Sequence, residues 1–218
     1  MKNSEIVTLY HGSRSGIRGA IAPISRERCD FGKGFYMGTD ISQPLTLICN
    51  HPDAKIYTLS VTLTDLKLLE MEVGLDWALL VAYNRGKMES VKGSPIYKRF
   101  ANLGNGYDMI IGYIANDRMF VVLDRFFNGD ITDLALIHSL SALKIGKQYV
   151  ALTEKACKNI KILNEQELSE KDRDKLKQES EANRSKGIAL ADEMCRRYRR
   201  EGRFFDEILK AGESYGES

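Results

Sequence analysis

Apolar and polar residues alternate most regularly over 56–63 (Ile-Tyr-Thr-Leu-Ser-Val-Thr-Leu), a pattern that predicts a half-buried strand. A β-rich run over 6–10 predicts a second strand that ends at His11, with a Gly/Ser/Arg loop over 12–19. Residues 30–38 set Gly32, Gly34 and Gly38 among aromatic side chains, which reads as a tight turn running into a strand. The stretch 66–71 either continues the 56–63 strand or bends away. Residues 76–85 suit a short amphipathic helix closed by Gly86. Asn105-Gly106 marks a turn before a buried strand over 107–113. The apolar stretch 118–127 fits helix or strand, since its period decides neither. A helix is expected over 131–140, a strand over 148–152, and a second strand over 159–163 after a short turn. Strands and helices do not alternate strictly, so the pattern predicts an α+β fold rather than a doubly wound sheet.

The pattern changes near Asn164. Residues 165–185 are almost wholly charged or small and polar, after which Ala189, Met194, Tyr198, Phe204, Phe205, Ile208 and Leu209 form a broken helical stripe. The expected division is a main domain over 5–163 and a charged helical C-terminal extension over 164–218, solvated first, then docking or partner-binding near its end. The chain has 218 residues, 43% of them hydrophobic and 28% charged, ordinary values for a globular protein. A formal net charge of +2 does not by itself argue for nucleic acid. Arg196-Arg197-Tyr198-Arg199-Arg200 is basic, but Asp192, Glu193, Glu201, Asp206 and Glu207 surround it, as on an exposed helix carrying both signs. Cys29, Cys49, Cys157 and Cys195 are scattered, with no C-x-x-C pair and no His at ligand spacing, so neither a metal site nor a disulfide framework is expected. The start Met1-Lys2-Asn3-Ser4-Glu5 has no apolar segment behind it, and no run is long enough for a bilayer. A cytoplasmic protein without membrane attachment is the expectation.

Candidate chemistry lies in three short stretches. His11 ends a strand and is followed by Gly12, which permits close backbone approach, and by the hydroxyl of Ser13. A neutral imidazole suits a ribose hydroxyl, although a lone histidine at a strand end also suits a structural role. Asp30-Phe31-Gly32 imitates the metal-binding triplet of kinases, but no other kinase motif accompanies it. What remains is a glycine-rich turn delivering Lys33 and Tyr36, or simply Phe35 and Tyr36 on opposite faces of a sheet. The third stretch is Lys147-Gln148-Tyr149-Val150.

Tyr10-His11-Gly12-Ser13 resembles the first motif of the diphtheria-toxin and PARP branch of ADP-ribosyltransferases. Phe31-Gly32-Lys33-Gly34-Phe35-Tyr36 is similar to the second motif, F-G-K-G-I-Y, with one conservative change. Gln148-Tyr149-Val150-Ala151-Leu152 resembles the third, with glutamine in place of the family's acid. The resemblance covers about residues 5–163. It implies a split β-sheet sandwich with flanking helices and NAD as co-substrate. By the same resemblance, His11, Tyr36 and Gln148 form the catalytic set. His11 would bond a ribose hydroxyl, the Gly12 backbone the nicotinamide amide, with Ser13 supporting that loop. Tyr36 would stack on the nicotinamide ring, and Gln148 would contact the nicotinamide ribose. Ser42 is the only counterpart of a serine the family carries after the second motif. Arg14 could meet the diphosphate, or be a solvated loop residue.

Nicotinamide is a good leaving group because its ring nitrogen is formally cationic, and cleavage passes through an oxocarbenium-like state. Such chemistry needs orientation, exclusion of water and stabilisation of positive charge, with no metal. Glutamine keeps a hydrogen-bond acceptor and lacks the acid's charge, so transfer of a single ADP-ribose is expected rather than chain elongation. The acceptor would be a macromolecule, protein or nucleic acid. A stand-alone protein of this size resembles toxins of toxin–antitoxin or phage-defence pairs, with the C-terminal extension as contact for an antitoxin. NAD glycohydrolysis, and silent binding of NAD or ADP-ribose, are the alternatives.

Overall fold

The alternating run over 56–63 lies in the best-paired part of a seven-stranded mixed sheet. The computed structural model describes residues 5–26, 28–114, 117–142 and 146–213; the N-terminal stretch 1–4 and the end of the C-terminal extension, 214–218, lie outside the described residues. The strands are β1 (Ile6–Ser13), β2 (Phe35–Gly38), β3 (Lys55–Thr62), β4 (Leu68–Glu70), β5 (Met109–Tyr113), β6 (Lys147–Ala151) and β7 (Ile160–Glu167), in the spatial order β4-β5-β6-β2-β1-β3-β7. Only β4 and β5 run parallel. β1 and β3 pair antiparallel from Ile6↔Thr62 to Ser13↔Lys55, whereas β1 and β2 share the single pair Tyr10↔Gly38. The sheet therefore has two well-laddered halves joined at one point. This α+β fold, with an open sheet flanked by helices, is the class the pattern predicts.

Each face of the sheet carries its own core. On one face, Trp77, Val122, Leu123, Phe126, Leu136 and Val150 are fully buried. They come from β6 and from α2 (Leu75–Asn84), α4 (Asp117–Phe127) and α5 (Asp133–Ala142). On the other face, Leu9, Met37, Tyr57, Leu59 and Met109 pack together, covered by Ile17 and Ile21 from the loop after β1. That loop is pinned where the Ile17 amide donates to the Tyr57 hydroxyl at 2.9 Å. Each fully buried large apolar side chain contributes about 1.5–3 kcal/mol, so both faces are strongly held.

Several elements extend or resolve the sequence expectations. Gly12 and Ser13 belong to β1 rather than to the loop, because the β3 ladder continues to Lys55. The ambiguous stretch is helical (α4): its buried Met119, Val122, Leu123 and Phe126 fall at i, i+3, i+4 and i+7, one helix face. Two helices were not anticipated: α1 (Ser42–Ile48), and α3 (Pro95–Asn102). The signal for α3 was present, since Ser94 caps it through a bond from the Tyr97 amide and Pro95 opens it. A short helix, α6 (Glu154–Lys158), links β6 to β7, and β7 runs on to Glu167 inside the charged region.

The C-terminal segment forms α7 (Glu170–Tyr198) and α8 (Phe205–Glu213). Ser169 caps α7, accepting from the Asp172 amide at 3.2 Å. Most of the first half of α7 is exposed. Gly187, Ala191 and Met194 are buried in its second half, where it packs on α4 and α5, while Phe205, Ile208 and Leu209 of α8 join the same core. No helix among the described residues is long and apolar enough to cross a membrane.

Candidate functional site at the junction of the two half-sheets

The backbone at the junction follows from the register. The Leu63 amide donates to the Glu5 carbonyl at 2.8 Å, which makes the odd-numbered residues of β1 the ones bonded to β3. Even-numbered residues, Gly12 among them, direct N–H and C=O towards β2. Pairing with β2 is confined to Tyr10↔Gly38, so Gly12 turns its amide and carbonyl into the gap between the half-sheets. Helix α1 roofs this point. A Cβ on residue 12 would lie 2.9 Å from the Pro44 carbonyl oxygen and 3.0 Å from Ile48 Cγ2, so the site requires glycine.

His11 spans the same gap from the opposite face. Its ring stacks on Phe35, with centroids 4.3 Å apart, and Nδ1 lies 2.7 Å from the Tyr36 carbonyl oxygen. A carbonyl only accepts, so Nδ1 carries the proton and Nε2 keeps a lone pair. Burial pushes the imidazole pKa below its ordinary value, against a smaller upward effect of the Tyr36 carbonyl, and the ring is neutral at pH 7.

Paired residues in a sheet share a face, and the register sets Tyr10, Gly38 and Gln148 in one row, with Tyr36 two residues from Gly38. Tyr36 and Gln148 thus stand together on the face roofed by α1, beside Gly12, whereas the His11 ring lies on the other. The Tyr36 hydroxyl donates to the Gly32 carbonyl at 2.7 Å and accepts from the Phe31 amide at 3.0 Å, closing the glycine-rich turn. Burial, and next the negative charge of Asp30, raise its pKa far above the ordinary phenol value, so it stays protonated. Gly34 lies flat against β6. A Cβ there would come within 2.5 Å of Val150 Cγ1 and 2.9 Å of the Ala151 carbonyl. Gly34→Ala is expected to cost about 1–3 kcal/mol, measurable by denaturant unfolding.

Gln148 is 3% exposed. Its Nε2 donates to the Tyr113 carbonyl at 3.2 Å and to Asp30 Oδ2 at 3.4 Å. Asp30 Oδ1 in turn accepts from Arg85 Nε at 2.9 Å and Nη2 at 2.5 Å, and the Asp30 carbonyl accepts from Asn84 Nδ2 at 3.0 Å. Glycines flank Gln148 in its row. The Phe31 ring occupies the space a Cβ on Gly112 would need, 2.6 Å away, and Gln43 Oε1 the space at Gly38, 2.8 Å away. Gln43 is itself buried, and among the described residues its Oε1 has no hydrogen-bond partner.

The other expected residues lie at the margin. Ser13 ends β1, Arg14 is exposed just beyond it, and Ser42 is exposed at the start of α1, its amide donating to Asp40 Oδ1 at 2.9 Å. Asp30 and Arg85 were not anticipated as site residues. The signal was the Asp30-Phe31-Gly32 triplet itself, set aside with the kinase reading. A cavity of about 550 Å³ lies elsewhere, between α1, β7 and the start of α7, lined by Ile41, Leu45, Ile56, Leu168 and Leu176, and touches none of His11, Tyr36 and Gln148. Among the described residues, no group of three or more His, Cys, Asp or Glu side chains is placed to hold a metal ion.

The α+β fold is consistent with the ADP-ribosyltransferase superfamily in general. The chain belongs to the family described as Protein of unknown function (DUF3990), whose model matches residues 7–162. Neither a curated protein nor a solved structure matches it.

Proposed function

We propose that this protein is an NAD-dependent mono-ADP-ribosyltransferase that works at the junction of its half-sheets. One observation carries the reading: the amide and carbonyl of Gly12 face an unpaired gap, beside the Tyr36 ring and Gln148. A carboxamide needs one acceptor and one donor side by side, and a single strand-edge residue offers both. Tyr36 supplies an aromatic surface, rigid because its hydroxyl is bonded twice within the turn. Gln148 supplies a neutral polar group against the ribose, and His11 holds the β2 edge through the Tyr36 carbonyl.

The reaction breaks the bond between ribose C1′ and the nicotinamide nitrogen, whose electron pair leaves with the ring. A lone pair on the acceptor then forms the new bond at C1′, and the acceptor gives up a proton. With no charge at Gln148, the protein contributes mainly orientation and exclusion of water, so an acceptor that is already nucleophilic suits it best. The resemblance in the first, second and third motifs supports the diphtheria-toxin and PARP branch, with glutamine at the acid's position. The exposed first half of α7 is the surface we assign to an antitoxin-like protein partner.

The test is incubation of the protein with adenylate-labelled NAD and cell lysate, followed by separate protease and nuclease digestion. Label in macromolecules is expected, and the digestion it resists shows whether protein or nucleic acid accepts it. Free ADP-ribose alone would make the protein a glycohydrolase. Intact NAD with measurable NAD binding would make it a silent binding module.

A further inference from the structure

We propose that Asp30, anchored by Arg85, is a positioning residue that orients the Gln148 amide and thereby explains why an amide stands where the resembling family has an acid. The proposal rests on the function proposed above for its catalytic consequence, but the orientation itself follows from the geometry alone.

The Gln148 side chain meets two acceptors on its inner side, the Tyr113 carbonyl and Asp30 Oδ2. Neither can donate. The Tyr113 carbonyl is further committed as acceptor to Trp77 Nε1 at 3.1 Å. Asp30 is held in place by two bonds from Arg85, which itself lies over the Phe120 ring at 4.6 Å. Only an NH₂ group satisfies both inner partners, and its two hydrogens serve both at once. The amide therefore faces inward with nitrogen, which leaves Oε1 as the one atom available to a ligand. That oxygen reproduces the acceptor half of a carboxylate, without the charge.

A glutamate at position 148 would set an oxygen against Asp30 and a carbonyl, a like-charge contact in a site where its partner is 8% exposed. The negative charge near the ribose site has thus moved one side chain inward, from position 148 to Asp30. A donor–acceptor swap follows from this. In the double variant Asp30→Asn with Gln148→Glu, the oxygen at position 30 still accepts from Arg85, its new amide donates to the new carboxylate, and the net charge is unchanged.

The experiment is a double-variant cycle with two readouts. Thermal melts at pH 7.5 should show each single variant losing on the order of 5 °C, and the double variant recovering the part due to position 30, since the Tyr113 carbonyl still faces an oxygen at position 148. The Gln148→Glu deficit should shrink as pH falls towards 4.5. There the new carboxyl, whose folded pKa is raised, takes up a proton and becomes a donor. If Gln148→Glu fails to accumulate as folded protein, recovery of folded protein in the double variant reports the same coupling. For nicotinamide release from NAD, Asp30→Asn should lose about 10²-fold in kcat with KM little changed, because the reversed amide presents a donor to the ribose. The double variant should restore release to at least the wild-type level. Additive melting losses, with no recovery in the double variant, would overturn the positioning role whether or not NAD is cleaved. Coupled melting with wild-type protein that leaves NAD intact would instead preserve the positioning role and sink the proposed activity.

Discussion

Arg85→Ala is expected to lower the stability of this protein by about 3 kcal/mol, a fall in Tm of roughly 6–12 °C for a chain of this size. The substitution removes both guanidinium bonds to Asp30 and leaves a carboxylate whose side chain is 11% exposed without its counter-ion. It also strips the cation from above Phe120. An internal control makes the cause readable. Arg99 pairs with Asp76 at the same 2.5 Å, but both side chains are 57% exposed. Solvent screens that pair, so Arg99→Ala should cost less than about 1 kcal/mol. Equal losses at the two arginines in chemical denaturation would show that Asp30 is not the buried anchor described here.

His11→Ala is expected to lower nicotinamide release on the order of 10²-fold, because a displaced strand edge misplaces the groups that hold the substrate. His11 ties β1 to the Tyr36 carbonyl across a gap that only one other pair, Tyr10↔Gly38, bridges. The loss should carry a pH signature. The folded-state pKa of His11 lies below the ordinary imidazole value of 6.5. The folded protein therefore resists protonation there, and the stability gained from the neutral ring is complete above 6.5 and lost as pH falls towards the folded value. Protonation also removes the Nε2 lone pair. Wild-type turnover should fall on the acid side, at a pH below the ordinary imidazole value of 6.5, while His11→Ala should show no such limb. A limb that survives in the variant would assign it to another group.

The strands were largely legible because their signal is local. Alternation over 56–63 and the apolar run over 107–113 each reflect burial on a pleated surface, and both became strands. Alternation could not show where a ladder ends. Gly12 and Ser13 looked like the start of a loop, but β3 supplies partners as far as Lys55, a long-range fact absent from local pattern. The helix α4 was undecidable for the same reason: its period emerges only once buried positions are known. The charged region misled differently. Three of its early residues, Glu165, Gln166 and Glu167, continue an edge strand, where polar side chains face water on an outer ladder.

At the site, glycines and aromatics marked the right turn, and the register explains why. Gly34 and Gly12 are places where β6 and α1 approach too closely for a side chain. What sequence could not convey was the third dimension of the row through Gln148. Asp30 lies 118 positions from Gln148 and Arg85 reaches it from the end of α2, so the charge that the third motif seemed to lack stands just ahead of the second. The division of faces was equally hidden: the resemblance groups His11 with Tyr36 and Gln148, whereas the sheet sets its ring on the opposite side, where it meets the Tyr36 carbonyl.

The most direct measurement of the central claim is nicotinamide released from NAD at pH 7.5, quantified for wild type, His11→Ala and Tyr36→Ala, each verified as folded. The junction between half-sheets as the NAD site predicts release by wild type and a loss of about 10²-fold or more in both variants. Intact NAD with the wild-type protein, or equal release by all three, would contradict it.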